Sequence, residues 1–467
     1  MRRFSLLIAS VSALALAGSA ANATHSSTRV SGPSPFAPGC SGAAPGTLYT
    51  NAEVQPHLSV DPRNPRHLVG AYQSDRWSTV ASQGVVTATS LDGGWTWRRA
   101  VPKVSECSGN NAFKRATDAW TTVAPDGTAY LVTLSMTGAT FEPGSVNGVM
   151  VSRSDDGGLS WGDPVLLAQG DETVFNDLPT GTADPNDSRY VYALWTAVTL
   201  LDSPHFKGPT VLRRSTDGGQ TWESPRVVHD PGVDAETTAN RLVVLPDGTL
   251  VTVFARYQQS GAVVDLVVVR STDKGVTWSA PSVISTQQWA GTKDPETGTP
   301  VRDGAQLPQA AVDGRGTLYV SWQDSRFTNG THDSIVISRS TDAGRTWSTP
   351  VPVNKNLAVP AFFSALAAQR DGTVGVGYYD FRDNTSDPAT LPTDYWLVTS
   401  RDNGVTWTER HIAGPFDLAT APKADRPVPS LYLGDYHSLV STGRSFLAFF
   451  PMTTGIPGNP TDIFTGD

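Results

Sequence analysis

The segment Ser90-Leu91-Asp92-Gly93-Gly94-Trp95-Thr96-Trp97 decides the fold, because its pattern returns five more times along the chain. The shared pattern is Ser, any residue, Asp, any residue, Gly, any residue, Thr or Ser, and Trp. The other copies occupy residues 154–161, 215–222, 271–278, 340–347 and 400–407. Self-similarity at a period of about 60 residues indicates an array of supersecondary units that bury their faces only by packing against each other.

The octapeptide itself predicts a tight turn between two strands. The Asp side chain is placed to accept hydrogen bonds from backbone N–H groups of its own turn, and the Gly two residues later permits a positive φ. The Trp packs the turn against the strand that follows. Each copy comes after a β-branched or apolar run such as residues 334–338. We therefore interpret the octapeptide as a hairpin device and assign it no chemistry.

The sequence between the octapeptides predicts four antiparallel strands per unit, for example 308–313, 316–322, 334–338 and 348–353. Four such strands make one blade of an all-β propeller. A seventh unit, beginning at residue 436, supplies three strands, and residues 47–54 could provide its fourth and close the ring. We favour seven blades over the alternative of six, because closure removes exposed sheet edges.

The N-terminal region reads as a secretory signal peptide. Arg2 and Arg3 precede an apolar run over residues 4–18, and Ala21-Asn22-Ala23 supplies a cleavage site. We thus expect a secreted protein, extracellular or periplasmic, with a signal peptide at 1–23, a flexible segment at 24–46 and one propeller domain at 47–467. In an oxidising compartment Cys40 and Cys107 are expected to form a disulfide, with two free thiols as the alternative.

Composition excludes several classes of function. Lys and Arg number 35 against 44 Asp and Glu, and no basic block is present, so a nucleic-acid partner is not expected. No segment after residue 23 is apolar enough to span a bilayer. The histidines are scattered, and no phosphate-binding or dinucleotide fingerprint occurs. We expect a monomer without cofactor or metal.

Propeller geometry brings charged loops together on one face of the disc. First strands start there and second strands end there, whereas the octapeptide turns lie on the opposite face. A site at the mouth of the central channel should draw on these loops. The charged residues that follow second strands are Asp75, Arg76, Arg256, Asp324, Arg326, Asp380 and Arg382, and those that precede first strands are Asp118, Asp177, Arg302, Asp303, Asp435 and His437. Arginines bind carboxylates, whereas paired carboxylates suit glycosidic cleavage, but each Asp-x-Arg pair could equally be a structural ion pair between blades.

The octapeptide is identified as the Asp-box, or bacterial neuraminidase repeat, and the chain resembles the sialidase superfamily over nearly all of its length after residue 23. This resemblance implies an exo-glycosidase that holds a sialic-acid carboxylate with three Arg and uses a Tyr–Glu pair and an acidic Asp. Residues 239–256 are similar to the family's Glu segment, except that Ala239 stands at the Glu position and Glu236 lies three residues earlier. The family's Phe/Tyr-Arg-Ile-Pro motif is absent.

The hypothesis that follows is a secreted sialidase-like glycoside hydrolase acting on the acidic terminus of a glycan. Tyr436 is the expected nucleophile with Glu236 as its base, and Asp118 or Asp75 is the expected acid. The expected carbohydrate-binding residues are Arg76, Arg256, Arg326, Arg382 and His437. Two alternatives stay open: a non-catalytic propeller that binds glycan or protein, and a polysaccharide lyase in which Tyr436 and His437 are acid and base.

Overall fold

The computed structural model describes residues 27–258 and 263–467, and the predicted signal peptide at 1–23 lies outside them. The described chain is built of strands with three short 3-10 helices, at Glu106–Ser108, Arg326–Thr328 and Leu418–Thr420. No helix in these ranges is long and apolar enough to cross a membrane. The strands up to residue 287 are β1 (Thr28–Arg29), β2 (Leu48–Tyr49), β3 (Val54–Asp61), β4 (Asn64–Trp77), β5 (Ser82–Ser90), β6 (Arg98–Ala100), β7 (Arg115–Val123), β8 (Ala129–Thr137), β9 (Val146–Ser154), β10 (Val165–Gly170), β11 (Val174–Ala183), β12 (Val191–Leu200), β13 (Phe206–Gly208), β14 (Thr210–Ser215), β15 (Arg226–His229), β16 (Ala235–Val244), β17 (Leu250–Gln258), β18 (Val264–Ser271) and β19 (Ser282–Gln287).

The remaining strands continue the same short, regularly spaced pattern to the end of the chain. They are β20 (Val301–Arg302), β21 (Gln309–Val312), β22 (Leu318–Asp324), β23 (Ser334–Ser340), β24 (Val351–Pro352), β25 (Ala361–Ala368), β26 (Val374–Asp380), β27 (Pro392–Ser400), β28 (Thr408–Asp417), β29 (Lys423–Ala424), β30 (Ser430–Tyr432), β31 (Ser438–Ser441), β32 (Phe446–Ile456) and β33 (Asn459–Gly466).

The strands pair in antiparallel units of four, as the sequence predicts. Each of six units carries one octapeptide between its third and fourth strands; the units are β3–β6, β7–β10, β11–β12–β14–β15, β16–β19, β21–β24 and β25–β28. A single pairing of Ser82 with Ala116 joins the first two units, and β13 joins the third to the fourth. A small extra sheet, β20–β30–β29, lies outside this pattern. The core lies within and between the units, where apolar residues of the strands are buried.

The last sheet contains β31, β32, β33 and β1, so an N-terminal strand does pair with the C-terminal unit. The predicted identity of that strand as residues 47–54 is wrong, because the fourth strand of the sheet is β1 and residue Ala52 makes only an isolated parallel bridge with Thr461. Thr28 and Arg29 pair with Thr465 and Phe464, whereas Leu48–Tyr49 pairs with β4 of the first unit. Asp462 stabilises the pairing of this N-terminal strand with β33. It accepts a 2.6 Å hydrogen bond from the Ser31 hydroxyl and forms an ion pair with Arg29.

The Asp-box turns have the predicted local structure. In the copy at 340–347, Asp342 accepts hydrogen bonds from the backbone N–H groups of Arg345 and Thr346, and the Thr346 hydroxyl donates to its second oxygen at 2.6 Å. Gly344 has a φ of 78°, and its N–H donates to the hydroxyl of Ser340. The predicted disulfide between Cys40 and Cys107 is also confirmed, and it ties the N-terminal segment to the connection after the first unit.

Candidate active site

Two adjoining cavities, of about 540 and 450 Å³, share residues Asp177, Leu178, Arg302, Pro427 and Asp435 and together form one cleft. The cleft opens where the first strands of several units begin, at the end of the strands away from the Asp-box turns. The charged residues that line it are Arg76, Asp118, Asp177, Arg302, Asp303, Arg426 and Asp435. Cations and carboxylates thus meet on one concave surface, as the sequence predicts for the charged loops on this face of the disc.

A β-bulge recurs in the first strands, and two of its copies place a residue in the wall of the cleft. The register shifts within the first strand of five units, and in each case a non-glycine residue at the shift has positive φ. These residues are Gln55 (54°), Asp118 (51°), Leu178 (45°), Ala239 (56°) and Phe363 (54°). Bulges re-aim side chains next to active sites, and left-handed backbone in non-glycine residues is costly unless the fold over-determines it. Two of these left-handed residues, Asp118 and Leu178, line the cleft.

Asp118 lies in one of these bulges and is 5% exposed. Its Oδ1 accepts hydrogen bonds from Gln55 Nε2 at 2.6 Å and from the Thr117 hydroxyl at 3.2 Å. Burial, followed by the negative charges of Asp177 and Asp435, raises the pKa of Asp118 to about 7. The Asp118 carboxyl can therefore hold a proton close to neutral pH, as a general acid requires.

Asp177 and Glu236 continue this row of carboxyl groups. Burial and the charges of Glu236 and Asp435 raise the pKa of Asp177 to about 7, and Arg302 opposes the shift. Burial also raises the pKa of Glu236 to about 7. Like charges in a poorly solvated site cannot all ionise together, so Asp118 and Asp177 titrate as a linked pair. Glycosidic cleavage uses a pair of carboxyl groups of which one is protonated and the other ionised.

Tyr432 stands between two arginines in the wall of the cleft. The Arg76 guanidinium lies 4.5 Å from the centroid of the Tyr432 ring, and that of Arg302 lies 5.6 Å from it. The Tyr432 hydroxyl donates a 2.8 Å hydrogen bond to Gln55, the same residue that donates to Asp118. Tyr432 therefore links Arg76 and Arg302, through Gln55, to Asp118.

The two arginines differ in how their charge is balanced. Arg302 makes a two-point ion pair with Asp435, with Nη2 at 3.0 Å from Oδ2. Arg76 is 4% exposed and donates from Nη1 to the carbonyl of Ala81 at 2.6 Å, while its Nε has no partner among the described residues. No described carboxylate lies within ion-pair distance of Arg76, so its charge is available to an anionic ligand.

Three of the predicted arginines lie outside the cleft in ion pairs of their own units. Arg256 contacts Asp265 at 2.8 Å, and Arg326 contacts Asp324 at 2.7 Å. Arg382 contacts Asp380 and Glu409, and its guanidinium stacks 3.5 Å from the centroid of Trp396. The structural interpretation of the Asp-x-Arg pairs fits Arg326 and Arg382, with pairing to carboxylates inside one unit rather than between blades.

Three other predicted residues also face away from the cleft. The Tyr436 hydroxyl donates to the carbonyl of Ala119 at 3.1 Å, and His437 Nε2 lies 3.0 Å from the hydroxyl of Tyr395. Burial lowers the pKa of His437 to about 3. Asp75 accepts three hydrogen bonds of 2.6–2.7 Å, from the Asn51 N–H and the side chains of Ser34 and Gln83. Of the predicted site residues, the structure brings together Arg76, Asp118 and the adjacent Glu236.

The sequence places Asp177, Arg302 and Asp435 among the charged loop residues on this face of the disc but indicates no role for them. It does not point to Tyr432. The sequence does carry a signal for Asp177, because it precedes a predicted first strand just as Asp118 does, and both residues lie within the strands β11 and β7 of the structure. Tyr432 offers no such signal, since it lies in the short strand β30, outside the repeating units.

Comparison with known proteins confirms the resemblance to the sialidase superfamily of Asp-box proteins. Residues 265–446 match the family described as BNR repeat-like domain, and residues 213–224 match the BNR/Asp-box repeat. A sialidase of Bacteroides fragilis (strain YCH46) is 26% identical over 294 residues, which are 56% of this chain and 48% of that protein. The match thus spans about half the length of the relative.

Two solved structures also align with this chain. The Hadza microbial sialidase Hz136 aligns with a TM-score of 0.49 at 15% identity, covering 87% of this chain and 74% of that one. An α-L-arabinanase of Penicillium chrysogenum, solved with arabinobiose, aligns with a TM-score of 0.42 at 13% identity, covering 75% of this chain and 93% of that one.

Proposed function

We propose that this protein is a sialidase-like glycoside hydrolase that removes a terminal acidic sugar from a glycan. The observation that carries the proposal is the carboxyl pair Asp118 and Asp177, each with a pKa raised to about 7, in the same cleft as the unpaired cation Arg76. Perturbed carboxyls cluster at catalytic sites, and a cleft that combines them with a free arginine suits an acidic glycoside. The sialidase of Bacteroides fragilis that shares 26% identity supports the same class of reaction.

The two carboxyls take different roles because their neighbours differ. Asp177 faces Arg302, which favours its ionised form, whereas the hydrogen bonds to Asp118 fall on Oδ1 alone. Asp118 therefore carries the shared proton and donates it to the leaving-group oxygen. Asp177 is the carboxylate that acts at the anomeric carbon, as base or nucleophile. Glu236 raises the basicity of Asp177 by charge repulsion.

Arg76 holds the carboxylate of the sugar in this proposal, with Arg302 and Arg426 adding positive charge to the same cleft. Tyr432 replaces Tyr436 as the tyrosine of the site. Its ring keeps Arg76 and Arg302 apart, and its hydroxyl orients Gln55 toward Asp118, so we assign it a positioning role. Tyr436 and His437 do not line the cleft, and this location disfavours the lyase alternative.

The seven four-stranded units form, in this proposal, one closed propeller. The support is that the first strand of each unit contacts that of the next, and that β3 of the first unit contacts β31 of the last. The Leu58 N–H donates to the Ser438 hydroxyl at 3.0 Å across this junction. The disulfide fits export to an oxidising compartment.

The test is fluorophore release by the wild-type protein from a panel of fluorogenic glycosides: a sialoside, a glucuronide and a neutral arabinofuranoside. We expect release from an acidic glycoside and little from the neutral one. Release from the arabinofuranoside alone would contradict the role of Arg76. Binding on a glycan array without any release would favour the non-catalytic propeller, and an unsaturated product absorbing in the ultraviolet would favour a lyase.

A further inference from the structure

A second, smaller cavity of about 110 Å³ lies on the axis of the molecule, separate from the cleft. Residues from the first strands of all seven units line it or flank its wall, so it is enclosed by the innermost strands. It shares no lining residue with the cleft. The axial cavity is therefore a distinct compartment, of a size suited to a small ion rather than to a sugar.

Arg241 projects its charge into this compartment without a hydrogen-bond partner. The residue is 4% exposed, and its Nε, Nη1 and Nη2 atoms all lack partners among the described residues. One face of the guanidinium lies 4.4 Å from the centroid of Trp120, and Tyr436 lies at 5.6 Å. These ring contacts stabilise the cation in part but leave its N–H groups unused. A buried charge without hydrogen bonds is costly, so a group that accepts these N–H bonds would stabilise the site.

The other polar groups of the axial cavity are also hydrogen-bond donors or neutral. His57 Nδ1 accepts the backbone N–H of Thr121 at 3.2 Å, so the ring proton of neutral His57 lies on Nε2. His437 Nδ1 has no partner among the described residues. Burial and Arg241 hold the pKa of His57 well below its usual range, and burial lowers that of His437 to about 3, so both rings are neutral.

The carboxylate that interacts with Arg241 is Asp118, on the cleft side of Trp120. Asp118 already accepts hydrogen bonds from Gln55 and Thr117, and its raised pKa keeps it protonated for much of the time near neutral pH. It therefore offsets the charge of Arg241 only in part. The axial cavity holds one full positive charge, unused donors and no acidic side chain among its lining residues.

We propose that the axial cavity binds a small monovalent anion of chloride size, held by Arg241 with His57 at its edge. The anion supplies a counter-charge and accepts the free guanidinium N–H groups. Because all seven innermost strands meet at the cavity, the bound ion stabilises the assembled units as a whole. The proposed anion site lies in a cavity separate from the cleft, although Arg241 interacts electrostatically with Asp118.

The test compares thermal unfolding in sodium chloride with unfolding in sodium gluconate at equal ionic strength, since gluconate is too large for the cavity. We expect chloride to raise the Tm of the wild type by about 2–5 °C, because a ligand that binds only the folded state stabilises it. Arg241→Met should abolish the difference between the two salts. Arg213→Met is the matched control, because Arg213 donates to the carbonyls of Glu223 and Leu167 away from the axis. It should keep the salt difference even if its own Tm falls.

A direct measurement does not depend on either variant folding. Crystals of the wild type soaked in sodium bromide should show an anomalous bromide peak beside the Arg241 guanidinium. Equal Tm values of the wild type in chloride and gluconate, or bromide peaks confined to the surface, would overturn the proposal.

Discussion

The aspartates of the Asp-box turns and those of the cleft lie on opposite sides of the four-stranded units, and their pKa values move in opposite directions. Hydrogen bonds from Thr96 and Thr221 lower the pKa values of Asp92 and Asp217 to about 2. Burial and neighbouring carboxylates raise those of Asp118 and Asp177 to about 7. Folding therefore favours the ionised form in the turns and the protonated form in the cleft.

The difference follows from what each side chain has to bind. A box aspartate accepts several hydrogen bonds from its own turn, and solvent helps to hold its charge. A cleft aspartate has few donors, little water and other acids nearby. The first arrangement stabilises the fold, whereas the second costs stability and keeps a proton available for chemistry. The same residue type thus supports the scaffold in one region and, in the proposed mechanism, a reaction in the other.

The largest effect that this comparison predicts is on catalysis. Asp118→Asn should reduce kcat/KM on an acidic glycoside by about 10²–10⁴-fold, because the amide cannot donate the proton of a general acid. Asp342→Asn, the matched change in an Asp-box, should leave kcat/KM within about twofold, as a change in a remote turn removes no transition-state contact. Initial rates of the two purified variants measure both effects. Full activity in Asp118→Asn would remove Asp118 from the proposed mechanism.

The arginines give the next largest contrast. Arg76→Lys should raise KM by about 10–100-fold, because an ammonium loses the two-point contact of a guanidinium with a carboxylate. Arg326→Lys should change KM little, since Arg326 already pairs with Asp324 outside the cleft. Steady-state kinetics on the acidic glycoside measures both constants. A large KM effect in Arg326→Lys would instead restore the arrangement that the sequence suggested.

The two regions were not equally open to prediction from the sequence. The hydrogen-bond partners of an Asp-box aspartate lie within the same eight residues. The octapeptide sequence therefore contains every residue that is needed to predict the turn. Asp324 and Arg326 are equally local, and that proximity is what allows them to pair with each other rather than with a ligand. The disulfide also followed from a short argument, because the chain has only two cysteines.

The cleft depends on contacts that no local pattern displays. Tyr432 binds Gln55, which lies 377 positions away. The bulge at Asp118 decides which side chain faces the cleft, and a shift of one residue in a strand moves a side chain to the other face. Tyr436 and Tyr432 are four residues apart, and their sequence alone does not tell which of them lines the cleft.

A smaller difference between the two regions is expected in how the free energy of unfolding depends on pH. Asp177 has a raised pKa in the folded state, so it costs stability as the pH rises above about 4, and the full cost is reached above about 7. Asp177→Asn should therefore be more stable than the wild type at pH 8, on the order of 1–3 kcal/mol, and nearly equal to it at pH 4. Chemical denaturation at the two pH values tests this.

Asp342→Ala should show the opposite sign. The folded pKa of Asp342 is lowered, so its contribution is present above about pH 4 and is lost as the pH falls below that value. At pH 7 we expect a loss of about 1 kcal/mol, because the carboxylate is half-buried and solvent screens part of its interaction. The loss should shrink in acid, and a loss that grew in acid would contradict the assignment of charge.

The smallest predicted effect comes from making one substitution in both regions. Thr346 donates its hydroxyl to Asp342, and Thr117 donates its hydroxyl to Asp118. Thr346→Val removes the largest cause of the lowered pKa of Asp342 but leaves its backbone donors, so the free energy of unfolding at pH 7 should be about 0.5–1 kcal/mol smaller than in the wild type.

Thr117→Val removes a donor from the Asp118 carboxyl, so the pKa of Asp118 should rise further. The basic limb of the pH–rate profile should then move to higher pH by a few tenths of a unit, while Thr346→Val leaves that limb in place. Because activity requires the protonated acid, a shift of the limb to lower pH in Thr117→Val would show that the proton is carried by another group of the cleft, with Asp177 as the first candidate.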